Sequence, residues 1–368
     1  MTGWSWKLGR VAGVDVSMHA TFLVLLAWVG ISHYLERRRW SDAGAGIAFI
    51  VVLFGIVVLH ELGHALTARR YGIRTRGITL LPIGGVAQLE RMPDDPKQEL
   101  LVAFAGPAVN VALAVLLFAL VPFTMSPAAL AEVPHTGAAF LAKLAWVNVA
   151  LATFNLIPAF PMDGGRVLRA LLAMRMDYVR ATKVAAEVGR GLAVMLGLLG
   201  LFGNPVLVVI ALFVWMGATA EAGMVELKSA LAGIPVHRVM ITRFETLAPT
   251  DTLQLATDHV LAGFQHDFPV LQDGRVVGVL TRADLVKGVT DKGGDALVGA
   301  SMTPRFETAA PSEMVEAVLQ RLQASPCPAA PVLEGDKLVG VLTLDNIGQV
   351  LTIQSALHPD GAQHARGR

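Results

Sequence analysis

His60, Glu61 and His64 form an H-E-x-x-H pattern with Leu62 and Gly63 between them. On a helix, residues four apart share a face, so two imidazoles at this spacing can hold one Zn²⁺. The intervening glutamate is placed to act as general base toward a metal-activated water. The pattern closes an uncharged apolar run from Ile47 to Leu59. That run rises about 20 Å as a helix, which sets the histidines toward one side of a ~30 Å hydrocarbon core. Imidazoles and a carboxylate are costly at that depth, so chemistry is the first expectation for them.

A catalytic zinc takes three protein ligands and keeps one position open. Asp163 is the candidate third ligand. It lies in Asn155-Leu-Ile-Pro-Ala-Phe-Pro-Met-Asp163-Gly-Gly-Arg166, an apolar segment broken by two prolines and two glycines. Irregular backbone at membrane depth belongs where it is buried in protein or lines a watered cavity. The plainer alternative for Asp163 is a helix N-cap before Val167 to Leu172.

These residues need apolar elements to hold them. The chain has 368 residues, is 54% hydrophobic and 16% charged, and has a net charge of +1. It is too apolar for an ordinary soluble protein, and the net charge gives no reason to expect nucleic acid as a partner. Cys327 is the one cysteine, so no intrachain disulfide forms, and no neighbour activates it. Six spans are expected, at roughly 18–34, 45–68, 98–122, 138–157, 187–203 and 204–224. Gly203-Asn204-Pro205 divides the last two, since one helix over that run would be about 57 Å long. The first span lacks a cleavage site and reads as a retained helix.

Arg69, Arg70, Arg74, Arg76, Arg91 and Lys97 cluster in the 69–97 loop, and Arg166, Arg169, Arg175, Arg180 and Lys183 in 163–183. The 123–137 loop carries no lysine or arginine. This bias puts both termini in the cytoplasm of a multi-pass cell-membrane protein, with Arg37-Arg38-Arg39 as a local exception. His19, His33, His135, His237, His259 and His266 lack ligand spacing.

The pairing of His60-Glu-Leu-Gly-His64 with Asn-x-x-Pro-x-x-Pro-x-Asp163-Gly-Gly resembles the site-2 protease family of intramembrane zinc metalloproteases. The resemblance covers roughly 5–225. It implies zinc ligands at His60, His64 and Asp163, a catalytic base at Glu61, and an oxyanion or carbonyl contact at Asn155. Alternation and a glycine pair in Leu80 to Leu89 suggest short strands. By the resemblance, the edge at Gly84 and Gly85 pairs with an extended substrate. Ala105-Gly-Pro-Ala-Val-Asn110 also resembles the family, and helix packing is the expectation for it. No PDZ-like segment interrupts this half.

Residues 240–347 repeat themselves at an offset of 62. Phe244-Glu-Thr246 matches Phe306-Glu-Thr308, Pro269-Val-Leu271 matches Pro331-Val-Leu333, and Gly278-Val-Leu-Thr281 matches Gly340-Val-Leu-Thr343. Each copy reads strand, helix, strand, tight turn, strand, helix. The copies resemble a pair of cystathionine-β-synthase (CBS) domains, which commonly bind adenine nucleotides (ATP, ADP or AMP) between repeats. The resemblance places Thr281 and Asp284, and Thr343 and Asn346, toward such a ligand. It also allows a homodimer through the pair.

The expected fold class is thus a polytopic α-helical membrane protein with a short membrane-associated β segment, joined to a soluble α/β tandem CBS module. The expected organisation is a protease domain at 1–225, a linker at 226–234, the CBS pair at 235–357 (copies at 235–290 and 297–352) and a disordered tail at 358–368. The expected activity is hydrolysis of peptide bonds in transmembrane segments of protein substrates within the lipid bilayer. The alternative is a CBS-regulated transporter or channel in which His60, His64 and Asp163 bind an ion. That alternative leaves Glu61 unexplained.

Overall fold

The computed structural model describes residues 4–82, 84–93, 95–121, 137–263 and 265–357. The charge-poor loop at 123–137 falls outside them except for Gly137, as does the whole 358–368 tail. The chain divides into two compact units, Met1–Val225 and Glu226–Arg368.

The first unit opens with two strands that the sequence reading above passes over, β1 (Ser5–Val11) and β2 (Val14–His19). Ala12 and Gly13, both at positive φ, turn one antiparallel to the other. β3 (Thr75–Leu81) pairs parallel to β2, and β4 (Gly84–Leu89) pairs antiparallel to β3. The sheet order is β1-β2-β3-β4, so β4 is an edge strand. The short strands expected in 80–89 are therefore part of a larger sheet that recruits the N-terminus.

The helices follow the hydropathy. They are α1 (Ala20–Arg37), α2 (Trp40–Arg70), α3 (Pro96–Leu120), α4 (Gly137–Asn155), α5 (Asp163–Ala173), α6 (Tyr178–Phe202) and α7 (Val206–Leu231). Among the described residues five of them, all but α1 and α5, are long and apolar enough to cross a membrane; α1 is a shorter apolar helix. The last apolar run is two helices, with Asn204 Oδ1 accepting from Val206 N at the break. Phe202 is 91% and Leu201 71% exposed, the reverse of a soluble core and what a lipid face requires. Ala181, Ala185, Ala186 and Ala218 are fully buried, so small side chains make the helix contacts.

The second unit carries the repeat. Its copies are α8 (Leu253–Ala262), β5 (Phe268–Gln272), β6 (Arg275–Leu280) and α9 (Arg282–Lys292), then α10 (Val315–Ala324), β7 (Ala329–Glu334), β8 (Lys337–Thr343) and α11 (Leu344–Leu357). Each hairpin turns on a positive-φ glycine, Gly274 or Gly335. The leading strand of each copy is reduced to isolated bridges. Leu247 and Ala309 bridge to Val270 and Val332 of their own copies, but two bridges are exchanged: Ile241, near the start of the first copy, pairs with Val341 of the second, and Thr303 of the second pairs with Val279 of the first. Met240 packs in the second copy's core and Met302 in the first's. A Cβ on Gly340 would lie 2.6 Å from the Met240 sulfur, and one on Gly278 2.6 Å from that of Met302. The 62-residue repeat is thus a pseudo-symmetric interlock, and its glycines make room for the reciprocal methionines.

Candidate metal centre

α2 delivers His60 and His64 one turn apart, and both are buried. Asp163 arrives from a distant element. It is the first residue of α5, after Met162 as N-cap, so it sits at a helix start without being the cap. The 156–162 segment folds back over this first turn so closely that a Cβ on Gly164 would lie 2.2 Å from Ile157 O. The Gly-Gly after Asp163 therefore lets the loop seat the carboxylate.

The three side chains converge. Asp163 Oδ2 is 3.1 Å from His60 Nε2 and 3.2 Å from His64 Nε2, and the two Nε2 atoms are 3.2 Å apart. Their potential ligand atoms all lie within 4.8 Å of one another. The donor set fits zinc: two imidazole nitrogens and one carboxylate oxygen, buried. The other side of each ring is engaged. His64 Nδ1 is 2.7 Å from Val102 O, and His60 Nδ1 bonds Asn110 Oδ1, both on α3. α3 also yields space, because a Cβ on Gly106 would lie 2.2 Å from His64 Nε2 and 2.7 Å from His60 Nε2.

Glu61 lies beside the cluster, under β4. Its Oε2 accepts from Ala87 N at 3.2 Å. A Cβ on Gly85 would lie 2.9 Å from Glu61 Cγ, so the glycine lets the strand approach the carboxylate. Gly84 precedes it at the start of the edge strand. Asn155 ends α4, and its Nδ2 donates to Leu151 O at 3.0 Å.

Comparison with known proteins gives the family. The profile of peptidase family M50 matches residues 48–135 and 122–196. A zinc metalloprotease of Methanocaldococcus jannaschii is 34% identical over 279 residues, which cover 75% of this chain and 78% of that protein. The Rip3 protein of Mycobacterium tuberculosis is 31% identical over 382 residues, 96% of this chain and 94% of its own. The chain belongs to peptidase family M50. This M50 member is a zinc metalloprotease of the site-2 protease type and a multi-pass membrane protein, and the transporter reading falls. CBS domain matches cover 236–291 and 296–351. A solved structure of a site-2 protease from Methanocaldococcus jannaschii is 36% identical, covers 60% of this chain and 95% of its own, and aligns with a TM-score of 0.44.

Sequence reasoning gave no site role to several residues that the structure ties to the centre or to the elements around it. Asn110 reads as packing yet bonds His60, and Asn148 on α4 bonds Asn110 in turn. Their signal was an amide inside each of two largely apolar spans. Arg169, counted above with the loop charges, is fully buried. Its Nε donates to Glu99 Oε1 at 2.8 Å, its Nη1 pairs with Glu221, and its guanidinium stacks 5.1 Å from the rings of Phe160 and Tyr178. It ties α5 to α3 and α7.

In the CBS unit, Asp284 Oδ2 is occupied internally. It accepts from Thr281 Oγ1 and Thr303 Oγ1, both at 2.8 Å, and completes a capping box on α9. Thr343 Oγ1 accepts from Asn346 N at 3.1 Å and Asn346 Nδ2 donates to Val239 O, and both residues line a cavity of about 900 Å³ together with Phe244, His266, Asp267 and Asp345. Burial raises the Asp267 carboxyl above its ordinary range, and Asp345 adds to the rise.

Proposed function

We propose that this M50 protease hydrolyses peptide bonds in transmembrane segments of membrane-protein substrates, within the bilayer. One observation carries the reading: His60, His64 and Asp163 meet, buried, on helices whose neighbours are long and apolar. His60, His64 and Asp163 would hold the zinc. When bound, the ion supplies a Lewis acid that polarises the scissile carbonyl and makes water acidic enough to deprotonate. Glu61 takes the proton from the attacking water and returns it to the leaving amine. The edge strand β4 takes up an unwound substrate segment, because the unfolding helix must re-pair its backbone groups away from water. Asn155 spends one N–H on Leu151 O and has a second to offer the oxyanion.

The test is reconstitution in vesicles with a single-span substrate. Glu61→Gln should abolish cleavage while zinc content stays at one per chain. Cleavage that survives the change, or zinc lost with it, removes Glu61 from the role of base.

The CBS pair is the proposed regulator, and an adenosine-type ligand its effector. Thr343 and Asn346, more than Thr281 and Asp284, line open space for it. Among the described lining residues there are two aspartates and no lysine or arginine, which disfavours a polyphosphate. AMP or a phosphate-free nucleoside should therefore bind the full chain more tightly than ATP in calorimetry and change the cleavage rate. Tighter ATP binding, or binding without effect on cleavage, contradicts this. In this reading both termini face the cytoplasm and the pair also offers a homodimer contact; labelling of cysteines introduced on either side reads the topology.

A further inference from the structure

The metal-facing side of His60 is decided two residues away from it. A neutral imidazole carries one N–H and one lone pair, and only the lone pair binds a metal. For both Nε2 atoms to serve, both Nδ1 atoms must carry the proton. At His64 the backbone enforces this, since Val102 O at 2.7 Å only accepts. At His60 the partner is the Asn110 amide, which could present either end.

The choice is made farther out. Asn148 Nδ2 is 2.8 Å from Leu144 O, one turn back on α4. A carbonyl cannot donate, so Asn148 must give it the NH2 end. Its oxygen then faces Asn110 Nδ2 at 3.0 Å, which must donate. Asn110 Oδ1 is thereby turned to His60 Nδ1, which must carry the proton. Asn110 and Asn148 are both 0% exposed, so bulk water cannot replace a link.

We propose that Asn148 is a positioning residue for the metal: through Asn110 it fixes the His60 tautomer that leaves Nε2 free to bind zinc. The inference rests on His60 being a zinc ligand. An apolar residue at 148 frees the Asn110 amide to flip. The NH2 end then faces His60, the proton moves to Nε2, and a ligand is lost until the ring is reset. Aspartate at 148 keeps the pattern, because in protonated form its hydroxyl donates to Leu144 O while its carbonyl accepts from Asn110.

The experiment measures zinc affinity of the purified full-length protein by chelator competition in detergent, for wild type, His60→Ala, Asn148→Leu, Asn148→Val and Asn148→Asp. The ¹⁵N shifts of labelled histidine in the zinc-stripped protein report the tautomer, with His60 assigned by its absence in His60→Ala. The expectation is zinc binding weakened roughly 10–100-fold in the apolar variants, near wild type in Asn148→Asp, and a His60 tautomer change in the apolar variants alone. Wild-type affinity in Asn148→Leu or Asn148→Val overturns the proposal. So does equal loss in Asn148→Asp, which would mean packing and not polarity. Apolar variants that do not fold at all also overturn it, by placing Asn148 among the folding determinants. Zinc retained by His60→Ala sinks the ligand assignment instead, a result distinct from the others.

Discussion

Two glycines and one thiol show how much a single atom decides here. Gly106 leaves the volume that an ion at the His60–His64–Asp163 cluster would use, with a Cβ reaching 2.2 Å from His64 Nε2. Gly106→Ala should therefore lower zinc affinity by roughly 100-fold, and cleavage with it, while the helices stay folded. Metal analysis beside circular dichroism separates the two outcomes. Gly85→Ala acts on Glu61 and β4, not on the ligands, so zinc should remain and cleavage fall. Cys327 is the opposite case, a residue with no task. It is fully buried, its Sγ–H donates to Ala329 O at 3.3 Å, and burial pushes the thiol pKa up to about 11. A thiol-specific reagent should leave the native protein unlabelled at pH 8 and label one site after denaturation. Labelling of the native chain would refute that environment. The inertness is useful, because cysteines introduced for topology mapping will report alone.

At the level of elements, α5 is the piece whose placement matters most. It carries Asp163 but is not itself a spanning helix. Arg169 anchors it to Glu99 on α3 and Glu221 on α7. Removing one partner of a buried ion pair leaves a bare charge and costs about 3–5 kcal/mol. Arg169→Met should lower thermal stability by that order and loosen zinc, since Glu99 is 0% exposed. The double variant Arg169→Met, Glu99→Leu should recover much of the stability. Thermal unfolding in detergent reads both, and full additivity of the two losses would exclude the pairing.

The helices were legible because apolar runs of this length have one structural solution in lipid. His60, Glu61, His64 and Asp163 were legible because ionisable groups stand out against such runs. Arg169 was not, since it sits in a charge-rich segment where partners 52 and 70 residues away in sequence cannot be seen. β1 and β2 were overlooked for a related reason. Their alternation in Ser5 to His19 is short, and the parallel partner β3 lies beyond two helices. The open cavity at Thr343 and Asn346 ran against residue type as well. The resemblance offered Asp284 beside Asn346, but the first copy's Asp284 is engaged by its own capping box.

Across the whole molecule, charge is segregated by environment. The soluble module tolerates carboxylates, yet Asp267 is buried enough that its ionised form is disfavoured. Its folded pKa lies above its unfolded one. The stabilising contribution of the protonated form is therefore full below the unfolded pKa and is lost as pH rises through the folded pKa. Asp267→Asn keeps an acceptor for Arg282 N and removes the charge. Unfolding of the module should then occur at higher temperature in the variant at pH 7, with the difference closing below pH ~4. Glu313 has the opposite sign. The Arg321 side chain holds its carboxyl below the usual range, so that contribution is present at neutral pH and lost as pH falls through the folded pKa. Glu313→Gln should blunt acid sensitivity without changing stability's trend near pH 8.

The crossed bridges Ile241–Val341 and Thr303–Val279 have a consequence for how the chain is made. A ribosome releases Val236 to Ile241 first, but their seats in the second copy's core do not exist until Val341 emerges. The first copy is likewise open until Thr303 arrives. Neither half can be a stopping point for synthesis, and a transcript truncated between them leaves two apolar docking faces bare on a chain already threaded into the membrane. The pair folds as one object.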